Sequence, residues 1–223
     1  SEYLLLQKRH TQIASWVEAA ETDGRVHGRV LTLRTVTGRM AHTSPNMAQV
    51  PAVYSPFGKE CRSCWTVQNP ETHSLVGTDA SGLELRGLAH FMDDQNFVNE
   101  ILNGDVHTAN QKMAGLQNRD QAKTFIYALM YGAGAAKIGL IVGGDSKTGE
   151  NLISKFMSNM PKFNLLKKKL TEASESGMIR GLDGRLLHIR SPHASLNTLI
   201  QGSGAVICKQ WLVQMIDKIQ KSG

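Results

Sequence analysis

Between Arg119 and Gly132 the sequence RDQAKTFIYALMYG places Ala122, Phe125, Ile126 and Leu129 at i, i+3, i+4 and i+7, while Arg119, Lys123, Tyr127 and Tyr131 recur at steps of four. At ~100° per residue the two sets fall on separate faces of one helix. The pattern therefore predicts an amphipathic helix over 119–132, with one face packed and the other offered to something outside it. Two cations in its first turns add to the positive end of the helix dipole, a local field suited to a polyphosphate. Two tyrosines further along can stack on a base or a sugar.

The same reading, run along the chain, predicts the elements around that helix. Residues 1–21 hold Tyr3, Leu4, Leu5, Ile13, Trp16 and Val17 among cations, a helical pattern closed by Asp23-Gly24. Alternation of Val26, Val30, Leu31 and Leu33 with Arg and His predicts a short strand or hairpin over 25–33. Residues 38–52 are polar and punctuated by Pro, which predicts a long ordered loop carrying Arg39, Asn46 and Gln49. His73–Asp79 reads as a short strand through Leu75 and Val76 that ends on a carboxylate. Ala80–Met92 reads as a helix through Leu85, Leu88, Ala89 and Met92. A carboxylate at a strand end, followed by Ser81-Gly82 and Glu84, is suited to a hard cation such as Mg²⁺. The same residues also fit an N-cap aspartate with a glutamate in the first turn. Ser191-Pro192 opens a long helix on which His193, Asn197 and Gln201 recur every four residues, with Leu196, Ile200, Ile207, Trp211 and Met215 packing behind.

Composition narrows the partners. The 223 residues are 41% hydrophobic, enough for a folded core, and carry a net charge of +6, which favours polyanions and nucleic acid first. Residues 151–190 concentrate that charge, with eight Lys/Arg against Glu172, Glu175 and Asp183. No apolar run approaches the ~18 residues of a membrane span, so no membrane partner is expected. Three cysteines suggest a reducing, intracellular setting. Cys61-x-x-Cys64 has no second pair at zinc spacing and is read as packing. The glycine-rich stretch 132–150 mimics a phosphate loop, but Asp145-Ser146 follows Gly144 where Lys and Ser/Thr are required, so that reading is rejected. The absence of an initiator Met, and a helical pattern still running at Gly223, suggest an excerpt of a longer protein.

Taken together, Asp79-Ala-Ser-Gly-Leu-Glu84-Leu-Arg86 and Arg119-x3-Lys123-x3-Tyr127-x3-Tyr131-Gly132 resemble the first and second motifs of family A (polymerase I-like) DNA polymerases. The flanking segments GRMAHTSPNMAQVP, GDVHTANQ and GLDGRLLHIRSPHASLNTLIQ resemble the podophage replicative branch of that family, and the likeness runs over nearly the whole chain. The resemblance implies a mostly α, α/β fragment of a right-hand polymerase: a small antiparallel palm sheet plus helical fingers. The end of a thumb would occupy 1–38, palm 39–92, fingers 93–190 and a palm helix 191–223. It implies two Mg²⁺ ions held in part by Asp79 and by the carbonyl of Ala80, and a glutamate, Glu84, that blocks a ribose 2′-OH. Arg119, Lys123, His107 and Tyr127 would hold the dNTP triphosphate and sugar, and Tyr131 would stack beside the template base. Arg39, Gln49, His193, Asn197 and Gln201 would line the minor groove of primer–template DNA. A processivity factor and a bacterial host cytoplasm follow as expectations from the phage-type likeness.

One departure is plain. The family's third motif, a His-Asp-Glu cluster with the second metal-binding aspartate, is absent, since the sequence contains no His-Asp pair. The expectation is a polymerase piece that is inactive alone. Two other readings compete: a relative of single-subunit RNA polymerases, against which Glu84 speaks because a gate against ribose defeats RNA synthesis, and a non-catalytic DNA-binding module.

Overall fold

The computed structural model describes residues 2–222, so the expectation at Gly223 lies outside the described residues. The chain divides into two compact units, one of residues 1–35 and 40–80, the other of 36–39 and 81–223.

The first unit opens with α1 (Glu2–Ala20), of which Trp16 alone is buried. Trp16 meets Trp65 edge to face, with ring centroids 5.0 Å apart, and Cys61 lies fully buried in the same unit. The predicted strand over 25–33 is the three-residue β1 (Arg29–Leu31), paired antiparallel with β2 (Ala41–Thr43) in the register Arg29↔Thr43, Val30↔His42 and Leu31↔Ala41. The predicted loop over 38–52 thus contains a strand, and also the 3₁₀ turn Met47–Gln49 capped by Asn46. Helix α2 spans Gly58–Ser63. His73–Asp79 is not a strand. It runs without regular structure, and Leu75 and Val76 are 71% and 86% exposed. A strand exists only as a member of a ladder, and no described segment pairs with this one.

The second unit is almost wholly helical: α3 (Leu83–Met92), α4 (Gln95–Asn103), α5 (Val106–Ala114), α6 (Arg119–Met130), α7 (Ala135–Leu140), α8 (Ser146–Asn159), α9 (Pro161–Ala173) and α10 (Ser195–Ser222). Short polar residues set the boundaries. Asp94, Asp105, Asn118 and Asp145 each accept backbone N–H bonds at the starts of α4, α5, α6 and α8. Helix α3 begins at Leu83 rather than Ala80, because its cap is Gly82 in the left-handed region. The core gathers around an edge-to-face aromatic run, Phe125 to Phe156 at 5.2 Å and Phe156 to Phe163 at 5.5 Å, with all three rings fully buried.

The glycines that mimic a phosphate loop have a packing task. A Cβ on Gly139 of α7 would strike the Asp145 carbonyl, and one on Gly149 of α8 would strike the Ala135 carbonyl, so the two helices meet at backbone contact. Within 151–190 lies a hairpin that the charge pattern concealed, β3 (Met178–Arg180) paired antiparallel with β4 (Leu186–His188), turning Ile179 and Leu187 inward. The expected antiparallel strands are therefore two separate two-stranded ribbons.

The long C-terminal helix departs from its pattern twice. His193 sits in a preceding 3₁₀ turn, Pro192–Ala194, and α10 proper starts at Ser195. Leu196 and Ile200 are buried as expected, but Ile207, Trp211 and Met215 are 38%, 37% and 38% exposed. Periodicity predicts an apolar stripe, but burial needs a neighbour, and over 207–221 no residue of α10 is buried. No described helix is long and apolar enough to cross a membrane.

Candidate functional site

Helix α6 carries the site on the face the sequence indicates. Ala122, Phe125, Ile126 and Leu129 are buried, Arg119 and Lys123 are exposed, and Tyr127 is half-buried. The helix ends two residues short of the prediction, with Tyr131 as its C-cap and Gly132 in the left-handed region at φ +77°. A Cβ on Gly132 would stand 2.5 Å from the His193 carbonyl, so this turn is closed to any side chain by conformation and by space.

From the middle of α6 outward the aromatic groups form a row. The His107 and Tyr127 rings are 6.3 Å apart, as are those of Tyr127 and Tyr131. Tyr131 Oη donates to Glu84 Oε2 at 2.6 Å, which brings the first turn of α3 to the end of α6. Burial, then the bond to Glu84, pushes the Tyr131 phenol up to about 12, while the charge of Arg39 acts weakly the other way. Burial and the Glu84 charge also raise Tyr127. Both phenols therefore stay protonated and able to donate at neutral pH.

At the start of α6 the charges are not what the linear pattern implies. Arg119 is paired with Asp105, Nε to Oδ2 at 2.6 Å and Nη2 to Oδ1 at 3.2 Å, and Asp120 adds an anion in the first turn. Among the described residues no ion pair engages Lys123, the other cation of the α6 face. The Arg119 bond, with help from Thr108, holds the Asp105 carboxyl far below the usual carboxylate range, and the Asp105 bond in turn raises Arg119. His107 is lowered, first by burial and then by the Arg119 charge. Its imidazole is neutral at pH 7 and its Nδ1 is buried without a partner.

Glu84, His107, Tyr127 and Tyr131 therefore form one connected cluster, with Arg119 and Lys123 close enough to His107 for their charges to act on it. The groove candidates are placed separately. His193 is exposed, Asn197 and Gln201 are half-buried on the first two turns of α10, and the Asn197 Oδ1 is buried without a partner. Arg39 is exposed. In the first unit Gln49 lines an open cleft of about 480 Å³ with Leu4, Lys8, Gln12 and Asn46, and its backbone carbonyl accepts from Gln12 Nε2 at 2.8 Å. Asp79 is exposed and Ala80 half-buried in the unpaired segment. Among the described residues no three His, Cys, Asp or Glu side chains converge as a metal-binding group. Asp105 is the site residue that the sequence reading overlooks. An aspartate just before Val-His-Thr signals an N-cap, but nothing local points to its partner fourteen positions on.

The second unit is thus a helical body with one cationic, aromatic helix face. The family model described as DNA polymerase family A matches residues 1–223. The chain is 44% identical over 250 aligned residues to the DNA-directed DNA polymerases of Enterobacteria phage T3 and Escherichia phage T7, with all of this chain and 36% of each relative covered. In fold it is similar to the POL domain of Pol1 from M. smegmatis in complex with DNA primer-template and dNTP, at a TM-score of 0.81 and 20% identity, over 96% of this chain and 41% of that one. The chain belongs to DNA polymerase family A. It spans little more than a third of the length of the phage relatives.

Proposed function

We propose that this chain is the part of a template-directed DNA polymerase that positions the incoming dNTP and grips primer–template, for nucleotidyl transfer to a primer 3′-OH. The observation that carries the reading is the face of α6: Lys123 and Arg119 at its start, Tyr127 and Tyr131 further on, His107 beside them and Glu84 bonded at the far end. Phosphoryl transfer asks a protein mainly for positioning and for neutralisation of charge, and this face offers a triphosphate cations and a sugar and base a row of rings. Neutral His107 donates or accepts one hydrogen bond without adding charge. Glu84, held by Tyr131, fills the space of a ribose 2′-OH.

Asp79 supplies a hard, exposed carboxylate, and a Mg²⁺ site commonly takes only one or two carboxylates beside waters and substrate phosphates. Asp79 with the Ala80 carbonyl therefore fits as part of a Mg²⁺ ligand set. When bound, the metal pair would neutralise the phosphates and lower the pKa of the attacking hydroxyl. The sequence has no His-Asp pair, so the second metal-binding aspartate must come from outside these residues and the isolated chain is inactive. Arg39, Gln49, His193, Asn197 and Gln201 suit a minor groove, where every correct pair offers purine N3 and pyrimidine O2 acceptors. The basic 151–190 segment suits duplex phosphates.

The test uses the assembled polymerase, meaning this segment together with the polypeptide that completes the palm. Asp79→Asn should leave primer–template affinity nearly unchanged and abolish single-turnover extension. Extension near the wild-type rate overturns the reading. The missing His-Asp-Glu motif favours a second reading, a DNA-binding module without catalysis, for which primer–template affinity would be indifferent to added dNTP.

A further inference from the structure

Asp105 has no role in the assignments above, yet it ties together the elements that carry them. As the N-cap of α5 it accepts the backbone N–H of His107 at 3.1 Å and the Thr108 hydroxyl at 2.8 Å. The same two oxygens take Nε and Nη2 of Arg119 on the first turn of α6. One carboxylate therefore fixes where α5 presents His107 and in which direction α6 presents its first cation.

We infer that Asp105 is a positioning residue for the dNTP triphosphate, holding the Arg119 guanidinium side-on so that its free edge faces the phosphates. The inference rests on the reading that Arg119 binds the triphosphate. Arginine offers five N–H donors in a rigid planar fork. The side-on pair uses Nε–H and one hydrogen of Nη2, which leaves three donors pointing away from the carboxylate. Without that partner, an arginine as exposed as this one must be ordered at the moment the phosphate arrives, and ordering subtracts from affinity. The sign of the effect separates positioning from simple charge. A carboxylate beside a polyanion site repels the ligand, so on charge alone its removal tightens dNTP binding. Positioning predicts the reverse.

Asp105→Asn discriminates, because asparagine caps a helix as well as aspartate does while losing the charge and one of the two acceptors that face Arg119. In the assembled polymerase, kcat/KM for the correct dNTP should fall about ten-fold, the size expected for one charge-assisted hydrogen bond. The loss should fall mainly on KM, since the triphosphate is held alike in ground and transition states. A merely structural defect lowers the active fraction, and so kcat, and leaves KM alone. In an Arg119→Ala background the Asp105→Asn change should add nothing, as a double-mutant cycle requires of two residues acting as one. Unchanged or raised kcat/KM in Asp105→Asn, or an equal loss in both backgrounds, overturns the inference while leaving the triphosphate role of Arg119 intact. If Arg119→Ala itself leaves kcat/KM unchanged, the triphosphate assignment fails and the inference falls with it.

Discussion

The phenol of Tyr131 and the carboxylate of Glu84, forty-seven residues apart in sequence, meet at 2.6 Å, the donor at the end of α6 and the acceptor in the first turn of α3. A glutamate has enough rotatable bonds to point in many directions, and this bond selects one. In the role proposed for Glu84 the direction is what matters, because a side chain excludes a 2′-OH only where it actually stands.

Tyr131→Phe should therefore weaken discrimination against ribonucleotides without changing the gate residue itself. A hydrogen bond to a charged group is worth ~1.5 to 3 kcal/mol, less at an exposed site, so about a ten-fold rise in relative rNTP use is expected. Glu84→Ala should raise it further, since it removes the obstacle and not merely its anchor. The measurement is kcat/KM for rNTP against dNTP on one primer–template. Identical ratios in Tyr131→Phe and wild type would show that the bond does not orient the gate.

The same bond has a signature in alkaline titration. The Tyr131 phenol is raised to about 12, above the value near 10 of an unfolded tyrosine. A proton held more tightly in the folded state contributes stability below the unfolded pKa, and that contribution is lost as pH rises through the folded one. Tyrosinate absorbance should therefore show a late component, centred near pH 12, that disappears in Tyr131→Phe and moves to lower pH in Glu84→Gln. A Glu84→Gln curve that overlays the wild type rules out the bond.

Two helix-interior glycines should respond to alanine with opposite signs. A Cβ on Gly87 in α3 meets only Ile200 Cδ1 at 3.9 Å, an ordinary contact. Gly87→Ala should thus gain up to about 1 kcal/mol from helix propensity. A Cβ on Gly149 meets the Ala135 carbonyl, part of the α7 backbone that cannot swing aside. There the clash outweighs the propensity, and a loss of about 1 to 3 kcal/mol is expected. Denaturation midpoints of the two variants against wild type check the pair of signs. A stabilised Gly149→Ala would mean that α7 and α8 do not cross at backbone contact.

What could be read from the sequence divides along a physical line. The two faces of α6 were legible because a 3.6-residue period is written in consecutive residues, and the four caps at Asp94, Asp105, Asn118 and Asp145 are likewise local. The 73–79 segment was misread because Leu75 and Val76 look like a strand, while the ladder that makes a strand lies elsewhere. Ile207, Trp211 and Met215 keep helical spacing yet stay more than a third exposed, because spacing alone does not supply a covering element. The charge of α6 was overestimated for the same reason, since Asp105 reaches Arg119 through the fold and not through the chain. The Glu84–Tyr131 bond belongs to this group: both residues were singled out, and only the fold joins them.

Tyr127 supplies the sharpest test of which face of α6 meets the substrate. Its ring stands between those of His107 and Tyr131, and among the described residues no side chain takes its hydroxyl. Burial and the nearby Glu84 charge keep the phenol protonated, so it is a ready donor. On the function proposed for this face, the hydroxyl stands near the space that a missing 3′-OH leaves in a dideoxynucleotide. Tyrosine can then replace the lost hydrogen bond to a charged phosphate oxygen, worth ~1.5 to 3 kcal/mol, and phenylalanine cannot. Tyr127→Phe in the assembled polymerase should cut dideoxynucleotide incorporation by on the order of ten- to a hundred-fold while use of natural dNTPs changes little. Competition of dideoxy against deoxy substrate on one primer reads that ratio directly. Equal ratios for wild type and variant would mean that Tyr127 does not face the sugar, and the assignment of the Arg119–Lys123–Tyr127–Tyr131 face to the nucleotide would have to be given up.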